Sequence, residues 1–325
     1  MAYNLKNVIK KKARLTSGHR MCAGCGAPVV TRMILNALKD EDDAVISCAT
    51  GCMEVSTCIY PYTSWKDCSF VHSAFENAAA TCSGVEAAYN SLKKQGKISK
   101  EKDVKFIAFG GDGGTYDIGF QSLSGAMERG HDMVYVCYDN GAYMNTGTQR
   151  SSATPHFADT TTAPVGKVSS GKKQSRKDLT EIMVKHNIPY VAQTAMYGNY
   201  KDVYEKAEKA IYTEGPAFIN ALSPCPRGWG YNTEDLIKIQ KLAVDSCFWP
   251  LYEVENGVYK ITYKPANKIP VDDFLKMQKR FKHLFNPGNE HLIQEIQSEV
   301  DKKWEYLLAM EKLTNLDNGT EMLSK

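Results

Sequence analysis

Residues 104–142 read VKFIAFGGDGGTYDIGFQSLSGAMERGHDMVYVCYDNGA, and this stretch decides the fold. Val104 to Phe109 is a short apolar run of strand character, ended by the glycine-rich turn 110–114. Asp117 to Arg129 carries helical spacing and is closed by Gly130 as a C-terminal cap. Met133 to Tyr138 is a second apolar strand. Strand, turn, helix and strand make a βαβ unit, so parallel strands joined by a right-handed crossover are expected. Two strings close the two strands: Gly111-Asp112-Gly113-Gly114 and Asp139-Asn140-Gly141-Ala142, with 27 residues between Asp112 and Asn140.

Ligands of parallel sheets bind beyond the carboxyl ends of the strands. The glycines let the backbone approach a ligand, and the helix start that follows offers N–H groups to phosphate oxygens. The Asp112 carboxylate, the Asn140 amide oxygen and the Ala142 main-chain carbonyl could supply three hard ligands to octahedral Mg²⁺, with diphosphate oxygens and a water completing it. A dinucleotide fingerprint is not met, because Tyr116 stands where GxGxxG needs its third glycine.

Working outward, Pro28 to Lys39 has helical spacing, and Asp43 to Cys48 is a buried strand running into the turn 49–52. Phe75 to Leu92 is an Ala-rich buried helix. The stretch 145–177 is polar and aperiodic, the signature of a functional or disordered loop. Leu179–His186 and Lys201–Thr213 are helices, and Tyr190–Gln193 and Ala217–Leu222 are strands. Beyond about 230 the chain turns polar, aromatic and irregular, with prolines at 250, 265, 270 and 287, before an amphipathic helix near 290–312. The expected architecture is an α/β, Rossmann-like parallel sheet with helices on both faces. Residues 1–230 form that domain together with a cysteine-bearing N-terminal segment, and 231–325 form an extended C-terminal arm packing on the domain or a partner. Residues 1–20, basic and polar, are expected to lie on a neighbour.

A net charge of +3 with scattered Lys and Arg gives no nucleic-acid footprint. No stretch approaches 18 apolar residues, so no membrane span is expected, and the start of the chain lacks the apolar core of a signal peptide. A cytoplasmic location is the expectation.

Ten cysteines sit at 22, 25, 48, 52, 58, 68, 82, 137, 225 and 247. A disulfide framework is not expected in a reducing compartment. Cys22 and Cys25 form a CxxC before a helix. A thioredoxin-like pair would follow a strand, and a zinc ribbon would need a second close pair. Cys52 and Cys225 lie in turns, where a thiolate can point at a cluster. CxxC with two remote cysteines matches iron–sulfur ligation, with zinc as the alternative. Cys48 and the remaining cysteines are expected to be buried small hydrophobes.

GHRMCAGCGAP (18–28), ATGC (49–52), GDGGTYDIG (111–119), YDNGAYMNTG (138–147) and SPCPRGW (223–229) occur in this order. Over about residues 15–230 the chain closely resembles the β subunits of pyruvate:ferredoxin oxidoreductase (pyruvate synthase), in the 2-oxoacid:ferredoxin oxidoreductase family. The resemblance implies the thiamine-diphosphate-binding PP-type fold. It implies that Cys22, Cys25, Cys52 and Cys225 ligate a [4Fe–4S] cluster. Asp112, Asn140 and the Ala142 carbonyl would hold Mg²⁺ and thiamine diphosphate along Gly111, Gly113 and Gly114. Asn145 would face the thiazolium and substrate, an amide donor suited to a developing enolate oxygen.

The implied activity is reversible oxidative decarboxylation of pyruvate to acetyl-CoA and CO₂, with electrons passed through the cluster to ferredoxin. Implied partners are alpha-, gamma- and delta-type subunits, ferredoxin, pyruvate and coenzyme A. With one diphosphate unit in the chain, the Glu that activates the cofactor is expected from the partner, and Glu76 is the internal candidate. Two departures stand out: Gly141 where many relatives have Glu, and His156-Phe157-Ala158-Asp159. A relative acting on oxalate, 2-oxoisovalerate or 2-oxoglutarate, and a non-catalytic zinc-binding assembly subunit with the same fold, are the competing readings.

Overall fold

In the computed structural model, which describes residues 4–59, 61–99 and 103–323, the βαβ unit sits in the middle of an eight-stranded sheet. The first three residues of the chain start considered above lie outside the described residues. The strands are β1 (Asp43–Ala49), β2 (Ser69–Ser73), β3 (Val104–Gly111), β4 (Val134–Asp139), β5 (Tyr190–Ala195), β6 (Ala217–Leu222), β7 (Leu251–Glu255) and β8 (Val258–Tyr263). Their spatial order is β8-β7-β5-β6-β4-β3-β1-β2. The pairings from β5 through to β2 are parallel, and β7 and β8 close one edge antiparallel.

Every residue of β4, β5 and β6 is buried. Both faces of these strands are covered, which is why they appear as continuous apolar runs rather than alternating ones. On one face Gly26–Leu35 and Tyr200–Tyr212 pack against the sheet around Val30, Ile34, Val203 and Ala207. On the other, Ala78–Lys94 and Phe120–Glu128 bury Ala79, Cys82, Leu123 and Ala126. The small residues of the first of these helices let it lie close on β1 and β3.

The register Gly110↔Cys137 and Gly111↔Tyr138 brings the ends of β3 and β4 side by side, with Asp112 and Asn140 just beyond them. The helix after the glycine turn differs from the sequence expectation. It begins as a π-helix, Gly113–Ile118, and becomes α-helical only at Phe120–Glu128. The Gly119 N–H donates to the Gly114 carbonyl at 2.7 Å. A Cβ at Gly119 would stand 2.3 Å from that carbonyl and 2.9 Å from the Glu76 carbonyl, so the widened turn needs a glycine. Single π-turns of this kind recur at functional sites.

Residues beyond 230, expected as irregular up to a helix near 290–312, supply β7 and β8 before that helix, which runs over Glu290–Leu323. The β7–β8 hairpin turns on Asn256 and Gly257, with φ of 49° and 83°, the signature of a two-residue loop. A buried network ties β8 to the domain. Lys206 Nζ donates to the Gln193 carbonyl (2.8 Å), Asp202 Oδ2 (2.9 Å) and Thr262 Oγ1 (2.9 Å). A buried ammonium is tolerated only when its donors are spent in this way. Near the N-terminus, Arg14 donates to the carbonyls of Asp67, Lys39 and Asp42 at 2.5–3.0 Å. Among the described residues no helix is long and apolar enough to cross a membrane.

Candidate functional site

The ends of β3 and β4 bring three oxygens together. Asp112 is fully buried, and Oδ1 accepts from the Asn140 N–H at 3.2 Å while Oδ2 accepts from Ser151 Oγ at 2.5 Å. The Asn140 side-chain oxygen lies 2.9 Å from the Ala142 carbonyl and 2.9 Å from Asp112 Oδ1. These are three acceptors with no donor among them; turned over, the amide would instead donate to both. Around an octahedral Mg²⁺ with oxygens at about 2.0–2.1 Å, neighbouring ligands stand about 2.9–3.0 Å apart. The oxygen-inward arrangement has that spacing and fits a hard cation. Gly141, at φ 73°, makes the turn that swings the Ala142 carbonyl round to the other two.

Burial and the nearby charge of Asp139 push the Asp112 carboxyl up to about 8, against the bonds from Ser151 and Asn140 that favour its ionised form. Without a cation the native state therefore holds a proton there that the unfolded chain loses near 3.8. Between these limits the native state binds more protons, so the stability of the metal-free protein falls as pH rises. A cation must displace that proton. Apparent Mg²⁺ affinity is expected to rise with pH by up to about tenfold per unit below about 8 and to flatten above it, as isothermal titration across pH 6–9 will show.

Asp139 does not compete for the cation, because Arg176 pairs with its Oδ2. The same guanidinium donates to Tyr116 Oη (2.7 Å) and the Ala153 carbonyl (2.6 Å). The polar stretch 145–177 is thus neither disordered nor merely a lid: it is bonded over the β3 turn, with the Ser152 N–H donating to Asp117 at 2.9 Å. A narrow groove leads past the three oxygens, lined by Gly51, Cys52, Phe75, Gly111, Gly113, Gly114, Asn140, Ala142, Met144 and Asn145. The rings of Phe75 and Tyr143 stack at 5.6 Å over the glycine turn. A Cβ at Gly113 would stand 2.4 Å from the Tyr143 ring. Asn145 is exposed at the lip of the groove.

The four cysteines singled out above come from three separate turns. The Gly26 N–H donates to the Pro224 carbonyl at 2.9 Å, and Tyr231 Oη donates to the carbonyls of Gly24 (2.6 Å) and Pro224 (3.1 Å). These bonds dock the Cys22–Cys25 loop on the Cys225 turn. Cys25 precedes the helix Gly26–Leu35, Cys52 opens the helix Cys52–Thr57, and Cys225 Sγ accepts from the Gly228 N–H at 3.3 Å. Burial pushes the thiols of Cys25 and Cys52 up to about 12, and the other cysteines of the set add to it. Among the described residues, no three His, Cys, Asp or Glu side chains are grouped so as to hold one metal ion. Cys48, Cys82, Cys137 and Cys247 are buried, whereas Cys58 and Cys68 are half-buried rather than core.

Three residues, Ser151, Arg176 and Arg280, join this site without a signal in the motifs, and a fourth, Trp229, ends the motif 223–229 without a role read from it. Ser151 and Arg176 lie in a stretch that looks solvated. Trp229 donates its indole N–H to the Asn140 carbonyl at 2.6 Å, tying the Cys225 turn to the cation turn. Arg280, from the C-terminal part, stacks on Trp229 at 4.1 Å.

Residues 49–221 match the family described as thiamine pyrophosphate enzyme, C-terminal TPP binding domain. The chain is 50% identical over 320 residues to pyruvate synthase subunit PorB of Thermotoga maritima, covering 97% of this chain and 98% of that one. It is 54% identical over 291 residues to the PorB subunit of Methanocaldococcus jannaschii, covering 89% and 95%. Among solved structures, the 2-oxoglutarate:ferredoxin oxidoreductase of Magnetococcus marinus has the same fold over 69% of each chain, with a TM-score of 0.53 at 23% identity.

Proposed function

This chain belongs to the family of pyruvate synthase PorB subunits, within the thiamine pyrophosphate enzymes, and from that premise we propose that it is the cofactor-bearing β subunit of a pyruvate:ferredoxin oxidoreductase. The observation that carries this is the Asn140 side-chain amide set 2.9 Å from both Asp112 Oδ1 and the Ala142 carbonyl at adjoining strand ends, which with the amide oxygen inward is the ligand spacing of an octahedral Mg²⁺. When bound, thiamine diphosphate supplies a carbon centre that can carry the charge left by a departing CO₂, and a [4Fe–4S] cluster supplies one-electron acceptance.

The chain's own residues do the rest. Asp112, Asn140 and the Ala142 carbonyl hold the cation, and Gly111, Gly113 and Gly114 leave room for the diphosphate beside the N–H groups of the turn. Phe75 and Tyr143 cover the turn and exclude water from it. Asn145, at the lip, presents an amide to the substrate oxygen. Cys22, Cys25, Cys52 and Cys225 hold the cluster. Two supports favour that assignment over zinc: the Cys225 thiol accepts a backbone N–H, and among the described residues the thiols do not close on a single-ion point. A tetrahedral zinc would draw thiolates to about 3.8 Å of one another. Cys52 lines both the groove and the cysteine set, which keeps electron acceptor and reaction site adjacent.

The remaining parts belong to other polypeptides in this reading: alpha-, gamma- and delta-type subunits, one of which brings the activating Glu, with cytoplasmic ferredoxin as electron acceptor. The test is anaerobic co-purification with the partners, followed by a panel of 2-oxoacids with coenzyme A and an electron acceptor. Pyruvate-dependent reduction with acetyl-CoA formation is expected. Faster turnover of oxalate, 2-oxoisovalerate or 2-oxoglutarate would reassign the substrate, and zinc in place of iron would overturn the cluster.

A further inference from the structure

Arg280 is the buried charge that the site just described leaves unexplained. Its side chain is only 5% exposed, and its guanidinium lies between the rings of Trp229 (4.1 Å) and Phe281 (5.1 Å). Its one hydrogen bond among the described residues runs from Nε to Gln278 Oε1 at 2.8 Å. No described carboxylate pairs with it, whereas Arg176 nearby is fully engaged by Asp139, Tyr116 and Ala153. One terminal nitrogen comes within 3.1 Å of where a Cβ on Gly141 would stand, so the head group presses on the cation turn from the side of the Cys225–Gly230 segment. A desolvated, unpaired cation is costly unless an anion compensates it. The chain keeps this one where its own acids do not neutralise it.

We propose that Arg280 is the built-in counter-cation of the cysteine-held cluster, fixed there to favour its reduced state. The proposal rests on the reading that Cys22, Cys25, Cys52 and Cys225 hold a [4Fe–4S] centre. Such a centre gains one unit of negative charge when it takes the electron released by substrate oxidation. A fixed positive charge in a low-dielectric wall stabilises the reduced form more than the oxidised one and so raises the potential. Trp229, on which Arg280 stacks, closes the turn that Cys225 opens, its backbone N–H donating to the Cys225 carbonyl at 2.9 Å, so the guanidinium stands against the cysteine turn. The aromatic stack fixes the guanidinium without spending its charge, which a carboxylate partner would do.

The test uses the intact complex, purified anaerobically, with redox-poised electron paramagnetic resonance of the signal that Cys225→Ala removes. Arg280→Gln is expected to keep iron content and to shift the midpoint negative by at least 59 mV, a tenfold change in the one-electron equilibrium. Gln278→Glu leaves Arg280 in place but gives it a carboxylate partner, and is expected to shift the midpoint the same way. It decides the matter should Arg280→Gln lose its iron. Arg280→Lys keeps the charge and is expected to stay near the wild-type value. An unmoved midpoint in Gln278→Glu, or a full shift in Arg280→Lys, would overturn the proposal while leaving the cluster reading intact. An iron-free wild type would overturn both. Altered Mg²⁺ and thiamine diphosphate affinity with an unmoved midpoint would place the role of Arg280 at the cation turn instead, against the proposal.

Discussion

Replacing Asp112 by asparagine will make the cofactor-free chain more stable and at the same time deaf to Mg²⁺ and thiamine diphosphate. The buried carboxyl of Asp112 faces Asp139 and is held up at about 8, so above that pH the native state carries an ionised group it would rather not have. Asparagine keeps the shape, can still accept from Ser151, and carries no charge. The gain should be about 2 kcal/mol or more above pH 8 and should shrink toward pH 5, where the native carboxyl is neutral. Denaturant melts of the two proteins across pH will show it. Wild type saturated with cofactor at about 100 times Kd gains about 2.7 kcal/mol, and the variant should gain nothing. Turnover of the complex should fall at least about 1,000-fold, since a cofactor that is not retained contributes no chemistry. Full cofactor uptake by Asp112→Asn would remove the cation site from this turn.

Cys225→Ala should have the opposite profile. Its thiol is half-buried and accepts a single N–H from Gly228, so the loss to folding is about 1 kcal/mol. Iron, measured against protein, should drop by one cluster, and the visible absorbance with it. Ferredoxin-linked turnover should fall to background, about 1,000-fold or more, because the electron has no acceptor within reach. Thiamine diphosphate should remain bound, because the Asp112–Asn140–Ala142 set lies on other strands. A variant that keeps its full iron would take Cys225 out of the ligand set.

The two variants separate what was legible in the sequence from what was not. The βαβ unit, the strand ends and the cysteine turns could all be located from local patterns, because glycine turns and apolar runs are set by neighbouring residues. The register that brings Gly111 beside Tyr138 follows from the parallel pairing of the same two strands. Ser151, Arg176 and Arg280 were invisible for a different reason. Their roles arise from side chains that reach across the fold, 39 residues from Ser151 to Asp112 and 37 from Arg176 to Asp139, and nothing in their local sequence records it. Arg176 even stands in a lysine-rich run that suggests a solvated loop. The β7–β8 hairpin is a separate case: Asn256-Gly257 between Leu251–Glu255 and Val258–Tyr263 is a strong turn signal. It was overshadowed by the proline-rich composition around it. The π-turn after Asp112 could not be read at all, since the close approach of the Phe75 and Glu76 carbonyls to Gly114 and Gly119 comes from the fold and not from the local pattern.

The indole of Trp229 joins two turns. It spans from the turn of Cys225 to the carbonyl of Asn140 with one hydrogen bond, and the guanidinium of Arg280 backs its other face. One indole thus braces both turns. The turn of Asn140 keeps its shape through that indole and not through whatever the cysteines hold, so air that bleaches the protein should leave its vitamin-derived cofactor in place, and only a change at the tryptophan itself should loosen both.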